Sequence, residues 1–351
     1  MAIFLSIAVI LIVLTAFLAR KYKGADHSAY DTPITRPFVA DADISDTHND
    51  VVAKLSEFSA VRTRDVKVAR QRMEELFYRD VDAEIVNVEI GELAGEWVLA
   101  PGADPSIRLL YLHGGAFRVG SPRAYRYITQ QLSARCGAAV LAIDYRMQPE
   151  FKTLDAHKDA QKAYQWILQN GPNEPSSPHA LFVAGDSAGG NLTLSTIAWA
   201  RNQGLPAADG AITFAPLTDA TMSSPTWKSN AATDPFLGPA LGPLTKVPKF
   251  MLNIGMRLSS GTGVNNPTLS PLLGDLQNLP DTLIQASRDE MLFADAQRYA
   301  NKANAQGSKV TFQVWPKLVH VFQGFPELPE SDHALAKVAE FVLARISPRT
   351  S

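Results

Sequence analysis

At 351 residues and 46% hydrophobic side chains, the chain can bury a sizeable core, and at about 150 residues per domain it allows two domains or one large α/β sheet. A net charge of −2, with lysines and arginines scattered apart from Arg20, Lys21 and Lys23, gives no electrostatic reason to expect nucleic acid as a partner. The single cysteine, Cys136, excludes an intrachain disulfide and reads as a small buried thiol at a helix end.

Ala2 to Ala19 carry no charge, and as a helix rising about 1.5 Å per residue they would span roughly 27 Å, near the thickness of a bilayer's hydrocarbon. The expectation is a membrane anchor over residues 1–24. Arg20, Lys21 and Lys23 then favour the cytoplasmic side for the rest of the chain, with secretion after signal-peptide cleavage as the alternative. Residues 25–82 read as a linker followed by covering helices, near Asn49 to Phe58 and Asp65 to Phe77.

From residue 83 to 351 the pattern predicts one further domain. Glu84 to Ile90 and Glu96 to Ala100 read as a hairpin around Gly91 and Gly95, followed by a strand at Ile107 to Leu112. A strand at Ala138 to Tyr145 and a helix at Asp155 to Leu168 come next, then strands at Leu181 to Ala184 and Ala211 to Ala215. Residues 217–279 break this rhythm with Pro, Gly, Ser and Asn, and read as a cap insertion over the active site. A strand at Asp281 to Ala286, a helix at Phe293 to Ala305, a strand at Lys309 to Trp315 and a helix at Ser331 to Ile346 complete the chain. Near-continuous apolar strands alternating with helices predict an α/β fold with a mostly parallel sheet covered on both faces.

Leu181 to Leu192 reads as strand, sharp turn, helix, with Gly185-Asp186-Ser187-Ala188-Gly189 in the turn. A serine at the tip of such a turn stands clear of the sheet, and flanking glycines admit backbone that passes very close. Negative charge beside Ser187 would meet the amide of Ala188 and the positive end of the helix dipole.

A serine hydroxyl becomes a nucleophile only when a base takes its proton, and the base needs a third group to fix its tautomer. Asp289 and Glu290 follow the strand ending at Ala286, and His320 follows the strand ending at Trp315, which supplies acid and base in the order Ser, acid, His. Among the remaining histidines, His157, His179 and His333 read as solvated, and Asp295 as a helix-capping carboxylate.

Four separated segments together resemble the hormone-sensitive-lipase-like branch of the α/β-hydrolases, over about residues 84 to 346. His113-Gly114-Gly115-Ala116-Phe117 resembles its His-Gly-Gly-Gly loop, and Gly185-Asp-Ser-Ala-Gly-Gly its nucleophile elbow. Asp144-Tyr-Arg-Met-Gln-Pro-Glu is similar to its Asp-Tyr-Arg-Leu-Ala-Pro-Glu segment, and Val319-His320-Val321-Phe322 to its Ile-His-Gly-Phe. The resemblance implies the α/β-hydrolase fold with a helical cap, Ser187 as nucleophile and His320 as general base and acid. It also implies an oxyanion site drawn from the amides of Gly114, Gly115, Ala116 and Ala188. Registering the family's acid segment on Leu292, Tyr299 and Ala300 puts Glu290 at the acid's place, with Asp289 as the alternative.

The implied activity is hydrolysis of small-molecule carboxylic esters, apolar or lipid-like, through an acyl-enzyme. A non-catalytic ligand-binding protein, or an amide or thioester hydrolase using the same triad, are the alternatives. No cofactor or metal is expected, since neither H-E-x-x-H nor G-x-G-x-x-G occurs. Oligomeric state is not fixed by the sequence.

Overall fold

The computed structural model describes residues 26–32, 38–39, 45–61 and 63–347. Among them, nine strands form one sheet: β1 (Phe38–Val39), β2 (Glu84–Ile90), β3 (Leu93–Leu99), β4 (Asp104–Leu112), β5 (Ala138–Ile143), β6 (Ala180–Asp186), β7 (Gly210–Phe214), β8 (Thr282–Ser287) and β9 (Val310–Trp315). Their order is β1-β9-β8-β7-β6-β4-β5-β3-β2. Only β2–β3 and β3–β5 pair antiparallel; every other pairing is parallel, as the alternation of strands and helices requires. The fold is that of an α/β-hydrolase.

Because side chains alternate across a strand, each central strand feeds two cores. Leu110, Leu112 and Val183 pack on one face with the helices Thr153–Ile167, Ala188–Asn202 and Phe293–Ala305, while Leu109, Tyr111 and Phe182 pack on the other with Arg126–Cys136 and Pro329–Leu343. Cys136 is buried in the second core, and burial pushes its thiol up to about 12. The hairpin differs from the sequence expectation at one point. Gly95 lies inside β3, opposite Ile143, where an added Cβ would come within 2.9 Å of the Ala142 carbonyl; the glycine answers a close approach of strands, not a turn.

Residues 217–279 connect β7 to β8 through the helices Thr226–Ser229, Leu237–Leu241 and Lys249–Ser260. Asn191 holds this segment down, its Nδ2 donating to the carbonyls of Leu217 at 2.8 Å and Leu269 at 2.9 Å. Two helices between β1 and β2, Thr47–Ala60 and Val66–Phe77, meet the same region, and Ser59 Oγ donates to the Pro235 carbonyl.

Among the described residues no helix is long and apolar enough to cross a membrane. The longest have 15 residues, Thr153–Ile167, Ala188–Asn202 and Pro329–Leu343, against about 20 for a span, and each buries a face on the sheet. The expectation of a membrane-anchored chain with a cytoplasmic catalytic domain is therefore corrected. Its proposed segment, Ala2 to Ala19, lies outside the described residues.

Candidate active site

Ser187 occupies the turn between β6 and the helix Ala188–Asn202 at φ +52°, ψ −113°, a strained geometry for a residue with a side chain. The flanking glycines are steric necessities. A Cβ on Gly185 would lie 2.5 Å from both the Leu112 and Gly189 carbonyl oxygens, and one on Gly189 would lie 1.8 Å from that of Leu112. Strand β4 thus runs directly against the turn. Ser187 donates its own amide to the Phe214 carbonyl at 2.8 Å, which pins the turn to β7.

His320 follows β9, and its Nε2 lies 3.0 Å from Ser187 Oγ. Its Nδ1 lies 2.6 Å from Glu290 Oε2, and Glu290 Oε1 accepts from the Ser287 amide at 3.2 Å. Asp289 does not join this chain: its carboxylate accepts from the Lys317 amide at 2.6 Å. Glu290 and His320 are both buried. Burial raises the Glu290 carboxyl against the opposing pull of His320. Burial alone would lower the His320 imidazole, but the charge and hydrogen bond of Glu290 outweigh it and hold the pKa above the ordinary 6.5.

The loop after β4 supplies amides on the opposite side of Ser187. Gly114 was among the expected oxyanion donors, but its amide donates to Asp186 Oδ1 at 2.8 Å, so that proton is already spent. The amides of Gly115 and Ala116 have no acceptor among the described residues. That of Ala188 opens its helix and has no intrahelical partner. Tyr111 donates to the same Asp186 oxygen at 2.7 Å, so one buried carboxylate joins the serine turn to this loop, and burial raises it to about 6. His113 braces the loop from behind, its ring stacked 4.3 Å from that of Tyr145, whose hydroxyl donates to the His113 carbonyl at 2.7 Å. Ala116 at φ +54° and Val321 at φ +53° replace glycines of the family pattern in left-handed backbone, a cost of about 1–3 kcal/mol each.

These groups open into a cavity of about 730 Å³. Phe58, Met73, Phe77, Trp227, Phe236 and Leu241 give it an apolar lining, drawn from the two N-terminal helices and from residues 217–279. Arg70 ties these helices to the site, donating to the carbonyls of Arg118 and Gln148 at 3.0 Å each and pairing with Glu150 at 2.7 Å.

A model of the alpha/beta hydrolase fold family matches residues 109–324. The chain belongs to the α/β-hydrolase family. An acetyl-hydrolase of Streptomyces hygroscopicus is 33% identical over 256 residues, covering 73% of this chain and 81% of that one. The crystal structure of an esterase/lipase from an uncultured bacterium superposes with a TM-score of 0.77 at 32% identity, covering 87% of this chain and all of that one. An esterase of the bacterial hormone-sensitive lipase family gives 0.77 at 30% identity, covering 86% and 99%. The expected resemblance to that branch of the α/β-hydrolases stands, and an esterase-type hydrolase function is supported.

Three carboxylates of this α/β-hydrolase eluded sequence reasoning. Asp186 sits within the elbow pattern as a variable position, and nothing in that pattern marks its bond to Gly114. Asp234, in the segment between β7 and β8, takes the amides of Leu237 at 2.8 Å and of Phe236 and Met291 at 3.0 Å, fixing the turn beside Glu290. Asp295, expected as a solvated cap, is fully buried; it accepts from Trp227 Nε1 at 3.1 Å, from Ser224 Oγ and from the Thr218 amide, so it moors a wall of the cavity. His157, expected in solvent, is also buried, with Nδ1 2.9 Å from Ser195 Oγ between two helices.

Proposed function

We propose that the chain hydrolyses carboxylic esters with apolar acyl groups through a covalent acyl-enzyme. The observation that carries this reading is the continuous contact from Ser187 Oγ through His320 to Glu290, at 3.0 and 2.6 Å, at the floor of an apolar cavity. His320 Nε2 takes the hydroxyl proton as Ser187 Oγ attacks the ester carbonyl. The resulting oxyanion meets the amides of Gly115, Ala116 and Ala188, and Glu290 holds the Nδ1 proton of the imidazolium. His320 then gives its proton to the leaving alkoxide, the carbonyl re-forms, and the alcohol departs. Water repeats the sequence on the acyl-enzyme, losing a proton to His320 and releasing the acid with Ser187 restored.

Residues 217–279 and the helices Thr47–Ala60 and Val66–Phe77 act in this reading as a cap that selects the acyl chain by the space they leave. A purely ligand-binding role has no use for an ordered Ser–His–Glu chain, so catalysis is favoured. The test is a panel of p-nitrophenyl esters of increasing acyl length, run on wild type and Ser187→Ala. Wild type should turn over and be labelled by an organophosphonate, with Ser187→Ala silent in both assays. Full esterase activity in Ser187→Ala would overturn the assignment.

A further inference from the structure

The helix Lys249–Ser260, in the segment between β7 and β8, has its polarity reversed for a surface helix. Such a helix ordinarily turns its apolar stripe to the core and its polar face to water. Here Asn253 and Ser260 are buried, whereas Met251, Ile254 and Leu258 are 53%, 37% and 69% exposed. At about 100° per residue these three fall within a sector about 60° wide. Met256 supplies the inward apolar contact, against Ala220, Val264 and Leu269. Among the described residues seven large apolar side chains are exposed, and three of them make this one stripe. Scattered singles need no explanation, but a stripe does.

Charge selects what covers it. No Asp or Glu occurs between Asp234 and Asp275, while Lys246, Lys249 and Arg257 are all exposed there. The acids of the adjoining segment are already paired, Glu150 with Arg70 and Asp155 with Lys158. A symmetric contact between two copies would set these three cations against their own counterparts. Three side chains also bury far less than the roughly 800 Å² that each partner gives up in a stable pair. An apolar stripe bordered by cations matches instead a lipid layer with anionic headgroups, into which such a helix sinks its apolar face.

The helix lies at the end of the sheet where the site opens. Lys152 Nζ donates to the Leu258 carbonyl at 2.7 Å, and Lys152 ends the loop that follows the C-terminal end of β5. Ser187 follows the C-terminal end of β6, and both strands run parallel to β4 between them.

We propose that the face formed by Met251, Ile254 and Leu258 docks the protein on an anionic lipid surface, with the helix lying along that surface and not crossing it. The docking does not rest on the proposed reaction. Where that reaction holds, docking turns the site's end of the sheet toward esters dissolved in the lipid.

The test uses the full chain labelled with the polarity-sensitive fluorophore NBD at Gly255→Cys, a position with open space around it on the exposed side of the helix. Cys136 is buried, and a label at Leu343→Cys, on a helix that packs on the opposite face of the sheet, is the control. Vesicles of phosphatidylcholine and phosphatidylserine in equal parts should shift the emission at 255 to the blue, with saturation, and leave that at 343 unmoved. Vesicles of phosphatidylcholine alone should bind about tenfold or more weakly. Met251→Ser with Leu258→Ser should weaken binding about tenfold or more, and Lys249→Glu with Arg257→Glu should erase the preference for anionic vesicles. Circular dichroism confirms that each variant is folded, and the two pairs are independent of one another. A label at 255 that stays wet while the protein sediments with vesicles, or an equal response to neutral vesicles, would overturn the proposal. So would a dry label without lipid in a protein that sediments as a dimer, which would give the face to a second copy. Turnover of p-nitrophenyl butyrate by the same sample separates the two ideas: an inactive protein whose label still responds loses the proposed reaction and keeps the surface.

Discussion

Glu290 Oε2 stands 2.6 Å from His320 Nδ1, while the carboxylate of its neighbour Asp289 turns away to the amide of Lys317. Adjacent residues with similar chemistry therefore have opposite assignments, decided by the turn that follows β8. Replacing Glu290 with Gln keeps the shape but offers the imidazole the wrong partner, as an amide can stabilise neither the required tautomer nor the imidazolium. We expect Glu290→Gln to lower kcat by about 10²–10⁴, the range set by orienting carboxylates in such triads, and Asp289→Asn to stay within a few-fold of wild type. Steady-state kinetics on the two single variants decides it, and the opposite ranking would move the acid to Asp289.

The same pair governs the response to acid. The proposed reaction needs His320 unprotonated, so activity should fall as pH drops through its pKa, which the Glu290 charge holds above 6.5 despite burial. The acidic limb of kcat/KM should therefore have its midpoint above 6.5 in wild type. Removing the carboxylate removes the strongest of the influences that raise the imidazole, so the residual activity of Glu290→Gln should show a midpoint at lower pH. A midpoint that stays fixed or rises would show that Glu290 does not set the protonation of His320.

Two glycines should respond to alanine in opposite directions. At Gly189 the new methyl would collide with the carbonyl of Leu112, the last residue of β4, at 1.8 Å and with that of His113, the first residue of the loop after it, at 2.6 Å. Gly189→Ala should cost more than about 3 kcal/mol and activity with it. At Gly255, within the helix Lys249–Ser260, nothing lies within 4 Å of the new Cβ, so Gly255→Ala should stabilise by about 0.5–1 kcal/mol through helix propensity alone. Denaturant titration of both variants measures the signs.

Asp186 makes stability depend on pH. Burial lifts its folded-state pKa to about 6 from an ordinary 3.8, so the folded protein resists ionising this group. Relative stability from this source is complete below 3.8 and is lost as pH climbs through about 6, by at most about 3 kcal/mol. Asparagine can still accept from Tyr111 and the Gly114 amide without the buried charge. Asp186→Asn should accordingly gain stability relative to wild type between about pH 4 and about pH 8, read as the difference in unfolding free energy. A difference that does not change with pH would mean that Asp186 is not the titrating group.

The legible parts of this molecule were those with local rules. Strand and helix alternation foretold the parallel sheet, and the glycines around Ser187 foretold the strained turn because only a residue without Cβ fits beneath β4. The family register points to Glu290, and it is Glu290 that contacts His320 while Asp289 meets the Lys317 amide. The partner of the Gly114 amide is not legible because an amide's acceptor is set by tertiary neighbours, here Asp186 from another strand. Asp295 and His157 were read as solvated for the same reason: their burial is created by helices that pack on them from elsewhere in the chain. Gly95 misled in the reverse sense, since a glycine marks a turn and a close strand approach equally well.

The reacting groups hang from β4, β6, β8 and β9, whereas the cavity that faces them is lined from segments outside the sheet, among them Phe58 and Phe77 on one side and Trp227, Phe236 and Leu241 on the other. In the proposed reaction, chemistry and choice of ester would thus be written in separable stretches of one polypeptide. Grafting residues 45–80 and 217–279 from a relative with another taste in acyl chains should carry that taste across, leaving the Ser187 machinery as it stands.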